Sequence, residues 1–112
     1  MKKSLVLIAG VVALFLVTLA PFKASAGGVI TEIFVMDDKG LNVAQTDPTG
    51  DFMQGDEAKW QKTFGVGANA SLIGEVEEDG GLNISQVSLT IARNNGYTLG
   101  AVTVGINVDA LK

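Results

Sequence analysis

The chain has no cysteine and no histidine. The first absence excludes a disulfide framework, a thiolate nucleophile and sulfur-based metal sites. The second removes the imidazole on which most general acid–base sites and activated nucleophiles depend. Basic residues are scarce and scattered: Lys and Arg number eight in 112 residues, and Arg93 is the only arginine. No clustered basic face is available for phosphate, which excludes nucleic acid as a partner. The Ser and Thr hydroxyls have no evident activating group, and no Lys stands in an evidently dry, nucleophile-paired setting. Eighty-odd residues of sheet also leave little cleft for paired-carboxylate glycoside chemistry. We therefore expect no enzyme and no cofactor.

What is present begins with a targeting pattern. Lys2 and Lys3 precede an apolar run from Leu5 to Ala20, then Pro21, then Ala24-Ser25-Ala26 as an A-x-A cleavage signal. The expectation is a signal peptide over 1–26, cleavage after Ala26, and a periplasmic domain over 27–112. The alternative is an uncleaved N-terminal anchor, because the apolar run approaches the length of a spanning helix. Cleavage removes three of the eight basic residues and none of the twelve acids, which leaves a net charge of −7. Such a chain supports one small domain with one modest core.

Within residues 27–112 the pattern is that of short strands. Val29, Ile30 and Ile33–Met36 form an apolar run broken only by Thr31 and Glu32, which reads as a buried strand. Asp37-Asp38-Lys39-Gly40 is turn chemistry, and 41–45 resumes as the partner strand of a hairpin. Periodicity stops over 46–55, where Phe52 and Met53 stand as apolar residues in a polar loop. A short helix is expected from Asp56 to Thr63, with Asp56 and Glu57 at its positive end and Lys62 near its negative end. A strand over 71–77, a turn at Glu78-Asp79-Gly80-Gly81, an alternating strand over 82–91 with one wet face, a turn at 93–97 and a last strand over 99–108 complete the chain. The expected class is α+β, a mostly antiparallel sheet of about five strands with one short helix. A single short helix is too little cover for the apolar face of such a sheet.

The segments FVMDDKGLNV, GDEAKWQKTF and LGAVTVGINVDAL resemble the Cache/PDC sensor domains, the PAS-like extracytoplasmic fold of bacterial chemoreceptors and sensor kinases, and most nearly their small free-standing periplasmic form. The resemblance covers essentially all of 29–112. It implies a central antiparallel sheet with a ligand pocket on one side, between the sheet and residues 46–64. It also implies small ligands (amino acids, carboxylates, amines) and a mechanism of binding followed by a change of shape passed to a partner. The sequence departs from the family's pattern in three places. The long helix that precedes the first strand in relatives is missing, Phe52-Met53 makes the pocket loop less aromatic, and Asn107 stands where many relatives carry an acid that holds a ligand amine. Asn107 can hydrogen-bond but cannot offer a full negative charge.

Five residues are candidate pocket contacts: Phe52, Trp60, Lys62, Arg93 and Asn107. Trp60 reads either as a pocket wall or as the large core residue that fixes the helix to the sheet. Lys59 and Lys62 read as point charges for a ligand carboxylate or as solvated surface lysines. Arg93 is a carboxylate clamp or an exposed turn residue. Asn107 faces the pocket or solvent. Asp47 and Asp51 fall short of a calcium loop, which needs more acids at fixed positions. Glu75, Glu77, Glu78 and Asp79 read as a wet hairpin tip. The expected partner is an amino-acid or carboxylate metabolite; a homodimer or a membrane sensor protein is the rival partner, on the argument that a sheet without its covering helix exposes an apolar face.

Overall fold

The computed structural model describes residues 19–47 and 52–112. The basic n-region, most of the apolar run and Asp51 lie outside them. Residues 19–25 are helical, with Ser25 Oγ donating to the Phe22 carbonyl at 3.0 Å. This helical stretch of seven described residues, in which Ala20, Lys23 and Ala24 are good helix formers, falls within the segment expected as a signal peptide. Among the described residues, no helix is long and apolar enough to cross a membrane.

Six strands follow: β1 (Ile30–Met36), β2 (Asn42–Gln45), β3 (Ser71–Ile73), β4 (Glu77–Asp79), β5 (Leu82–Ala92) and β6 (Thr98–Asn107). They form one antiparallel sheet in the order β2-β1-β6-β5-β3, with β4 also pairing to β5. The α+β reading holds, and the strand expected over 71–77 divides in two. At the break the Gly74 N–H donates to the Gln86 carbonyl at 2.8 Å, and Ser85 Oγ donates to the Gly74 carbonyl at 2.8 Å. The Ser85 hydroxyl competes with the backbone ladder there, and the chain bends before pairing again at Glu77. The helix is shorter than expected, Ala58–Gln61, because Glu57 at its start is extended and offers no side-chain cap. Its C-terminal turn is tightened instead by Thr63 Oγ1, which donates to the Lys59 carbonyl at 2.6 Å.

The expected hairpin over 30–45 forms as read. Asp37 Oδ1 accepts from the Lys39 and Leu41 N–H groups at 2.9 and 3.0 Å, and Gly40 closes the turn at φ +79°. Residues 52–70, which lead to the far edge of the sheet, lie over a single face. Trp60 and Phe64 pack there on the buried Phe34, Met36 and Ala101. The two rings stack at 5.1 Å, and Trp60 Nε1 donates to the Asp37 carbonyl at 3.0 Å.

Register sorts the side chains into two unlike faces. On the covered face, Phe34 lies opposite Thr103, and Thr103 opposite Ser88; Met36 lies opposite Ala101, and Ala101 opposite Thr90. Buried polar groups there pair with one another: Ser88 Oγ and Thr103 Oγ1 share a hydrogen bond of 2.7 Å. Ser88→Ala should cost about 1–3 kcal/mol, because Thr103 Oγ1 is then buried without its partner. The double variant Ser88→Ala/Thr103→Val should recover most of that loss, since both polar groups go together. Urea denaturation of the three proteins checks it, and a double variant no better than the single one would refute it.

Candidate functional site

Glu32 breaks the apolar run of β1, and its placement organises the site. The β1–β6 register shifts between Ile30 and Glu32, so Thr31 and Glu32 both lean over the covered face. They do so above Gly105: a Cβ built there would stand 2.5 Å from Thr31 Oγ1 and 2.8 Å from Glu32 Cγ. Glycine is therefore required at 105 for Glu32 to hold its position. Gln86, opposite Gly105 on the next strand, donates from Nε2 to Glu32 Oε1 at 2.7 Å.

Two cavities meet at this pair. The first, about 290 Å³, lies over the covered face, with Glu32, Ile33, Phe34, Asn42, Gln45 and Gln86 along the strands and Thr46, Asp47, Gln54 and Lys59 as its walls. The second, about 320 Å³, shares Glu32, Asp47 and Gln86 and is otherwise lined by Thr31, Gly74, Glu75, Glu77, Asp79 and Ile84. The kink at Gly74 thus turns part of the expected wet hairpin tip into a cavity wall.

The chemistry of the first cavity is polarised along β1. At the Phe34 row, Lys59 Nζ sits 5.0 Å from the centre of the Phe34 ring, its side chain only 18% exposed and its charge partly met by Glu57 Oε2 at 3.7 Å. Gln45, opposite Phe34 on β2, is 3% exposed. Its Oε1 accepts from Asn42 Nδ2 at 3.0 Å, while its Nε2 has no hydrogen-bond partner among the described residues. A buried amide donor left in that state costs free energy unless a guest accepts from it. Two residues along the strand, about 7 Å away, stand the acceptors: Glu32, and the exposed Asp47, held by Thr46 Oγ1 at 3.1 Å and, in the uncleaved chain, by Lys23 Nζ at 3.1 Å. The site therefore offers donors at one row and carboxylates at the next.

None of the five expected contacts lines either cavity. Phe52 is exposed, and it is its carbonyl that the fold uses, accepting from the Asn42 N–H at 2.7 Å. Trp60 is a core residue. Lys62 is exposed just past the helix. Arg93 lies at the exposed β5–β6 tip, its guanidinium 5.3 Å from the centre of the Tyr97 ring. Asn107 ends β6 and caps the following 3-10 turn (Val108–Leu111), its Oδ1 accepting from the Asp109 N–H at 3.2 Å. The structure scatters the five and brings together Glu32, Gln45, Asp47, Lys59 and Gln86. Of these, the reading of the sequence had weighed Lys59 for a ligand and Asp47 for calcium. Glu32 carried a signal, a charge inside an apolar strand; Gln45 and Gln86 carried none.

No protein-family model matches the chain, and no curated protein matches it. Solved structures do, at low sequence identity. The ligand-binding domain of the Pseudomonas aeruginosa amino-acid chemoreceptor PctC, in complex with GABA, superposes with a TM-score of 0.60 at 14% identity, covering 98% of this chain and 54% of that one. The sensor domain of the Vibrio cholerae histidine kinase DctB gives 0.53 at 12%, covering 86% and 39%. The ligand-binding domain of the Pseudomonas fluorescens chemoreceptor CtaA, in complex with L-alanine, gives 0.52 at 14%, covering 90% and 50%. This chain spans about half the length of these structures or less. Its fold is that of the ligand-binding sensor domains of chemoreceptors and histidine kinases, the Cache/PDC fold.

Proposed function

We propose that this chain is a non-catalytic sensing domain, exported from the cytoplasm, that binds a small zwitterionic metabolite of the amino-acid class and passes its presence to a partner protein. The observation that carries this reading is the polarised cavity of about 290 Å³. A ligand carboxylate would accept from Gln45 Nε2 and meet the Lys59 ammonium, while a ligand ammonium would lie against Glu32 and Asp47. Two charged ends held by two rows of one strand select for both groups at once, because a ligand lacking either leaves the charges of one row unmatched. The carboxylates of the site also supply the negative charge that Asn107 does not. GABA and L-alanine, the ligands of two structures of this fold, are zwitterions of the size the cavity accepts. Export is supported by Lys2, Lys3, the Leu5–Ala20 run and Ala24-Ser25-Ala26.

Thermal melts of the purified protein against amino acids, simple carboxylates and simple amines test the proposal. Amino acids should raise Tm most, because ligand at a hundred times Kd adds about 2.7 kcal/mol, or some 10 °C or more for a domain of this size. Lys59→Met and Glu32→Gln should each remove most of that shift. A panel with no active member, or a shift that both variants keep, would overturn it.

A further inference from the structure

The sheet face turned away from the cavity is apolar along consecutive cross-strand rows. One row runs Ile33, Val104, Val87, Ile73; the next runs Ala44, Val35, Val102, Leu89; Ile30 and Ile106 begin a third. No charged residue stands in these rows. None of their Ile, Val and Leu side chains is buried among the described residues, and Ile73 and Leu89 are 74% and 47% exposed. The buried apolar core on the opposite face is Phe34, Met36 and Ala101. Most of the apolar side chains that the strands carry thus point away from the short helix Ala58–Gln61, whose Trp60 packs on the sheet's other face.

We propose that this face is the contact between two copies of the chain, packed sheet against sheet. Three observations favour a second copy as the occupant. The rows hold aliphatic side chains and, where they end, the uncharged Ser71 and Ser85, so a twofold axis sets no like charges against each other, although the chain as a whole is net acidic. The face is broad and regular, the form that stacks at about 10 Å on a like sheet with side chains interdigitating. Its extent suits a dimer: four to five strands about 4.8 Å apart, over some seven residues of about 3.4 Å, give roughly 450–570 Å² of plane. Side-chain relief raises this toward the ~800 Å² per partner of a standard interface.

The test uses the full-length chain, expressed and purified as the cell processes it. Sedimentation or native mass spectrometry over a wide concentration range should give the mass of two chains. The double variant Ile73→Glu/Leu89→Glu, at positions already open to water, should give the mass of one chain with an unchanged far-ultraviolet spectrum. Because the chain has no cysteine, Val104→Cys supplies a second readout. A short bis-maleimide should link two copies through position 104, while Val66→Cys, exposed and off this face, should give none. A wild-type protein of one-chain mass at every concentration overturns the proposal, whatever else covers the face. A two-chain mass that survives the double glutamate variant, or linkage at 66 but not at 104, overturns the assignment to this face.

Discussion

Replacing Trp60 with alanine should remove about 3 kcal/mol or more of stability and move the unfolding midpoint to much lower urea. Large-to-small changes of buried aromatic residues cost about 3–5 kcal/mol, and a partly buried ring falls near the lower end. Here three contacts go together: the stacking on Phe64, the packing on Phe34 and Met36, and the bond from Nε1 to the Asp37 carbonyl. A domain of this length holds only about 5–10 kcal/mol in all, so one side chain carries a large share of it. Trp60→Phe separates the contributions. It keeps the apolar contact and loses the hydrogen bond, so its cost should be about 1 kcal/mol. Urea melts of both variants check the pair; an alanine variant within 1 kcal/mol of wild type would show that the small core is not where the stability lies.

Gly40→Ala should cost about 3 kcal/mol, although it adds a single methyl group at a turn. Gly40 is at φ +79°, a conformation that costs a residue with a Cβ about 1–2 kcal/mol. The Cβ itself would stand 2.3 Å from Gly55 Cα and 2.5 Å from Gly55 N, and both are backbone atoms that cannot rotate away. The Gln54 N–H donates to the Gly40 carbonyl at 2.6 Å, so the turn of the first hairpin clamps the loop that walls the cavity. The same variant should therefore weaken ligand binding more than its position outside the cavity suggests, because Gln54 and Lys59 follow from this clamp. Parallel melts with and without an amino acid separate the two effects. A variant as stable as wild type would show that the loop relaxes around the added methyl.

The elements most legible in the sequence are those whose signals are local. Asp37-Asp38-Lys39-Gly40 marked its turn because the Asp side chain and the Gly conformation act within four residues. Alternation over 82–91 marked β5 for the same reason. The break at Gly74 was not legible, because the hydroxyl that makes it belongs to Ser85, eleven residues away. The site was less legible than the fold. Trp60, Arg93 and Asn107 drew attention as rare or well-placed residue types, yet the structure spends them on a core contact, a turn tip and a cap. The cavity is built from Gln45, Gln86 and Glu32, whose meeting depends on strand register across three strands and on Gly105 leaving room. The resemblance to a family implies a pocket position relative to the sheet, but the side chains that line a cavity follow from register across strands, which no local pattern encodes.

The two faces of the sheet share the same strands and alternate residue by residue along them. In β1, Phe34 belongs to the cavity floor, while Ile33 and Val35 on either side of it present aliphatic groups to the other face. A point change at one position therefore leaves the adjacent face nearly untouched, and the pleat keeps two surfaces chemically independent within a layer one residue thick. Past the register shift, from Glu32 to Met36, variation can accumulate on the cavity side at 32, 34 and 36 while Ile33 and Val35 stay aliphatic. Over that stretch the parity of the residue number, rather than distance along the chain, decides which property of the protein a substitution alters, and the shift between Ile30 and Glu32 marks where the rule stops.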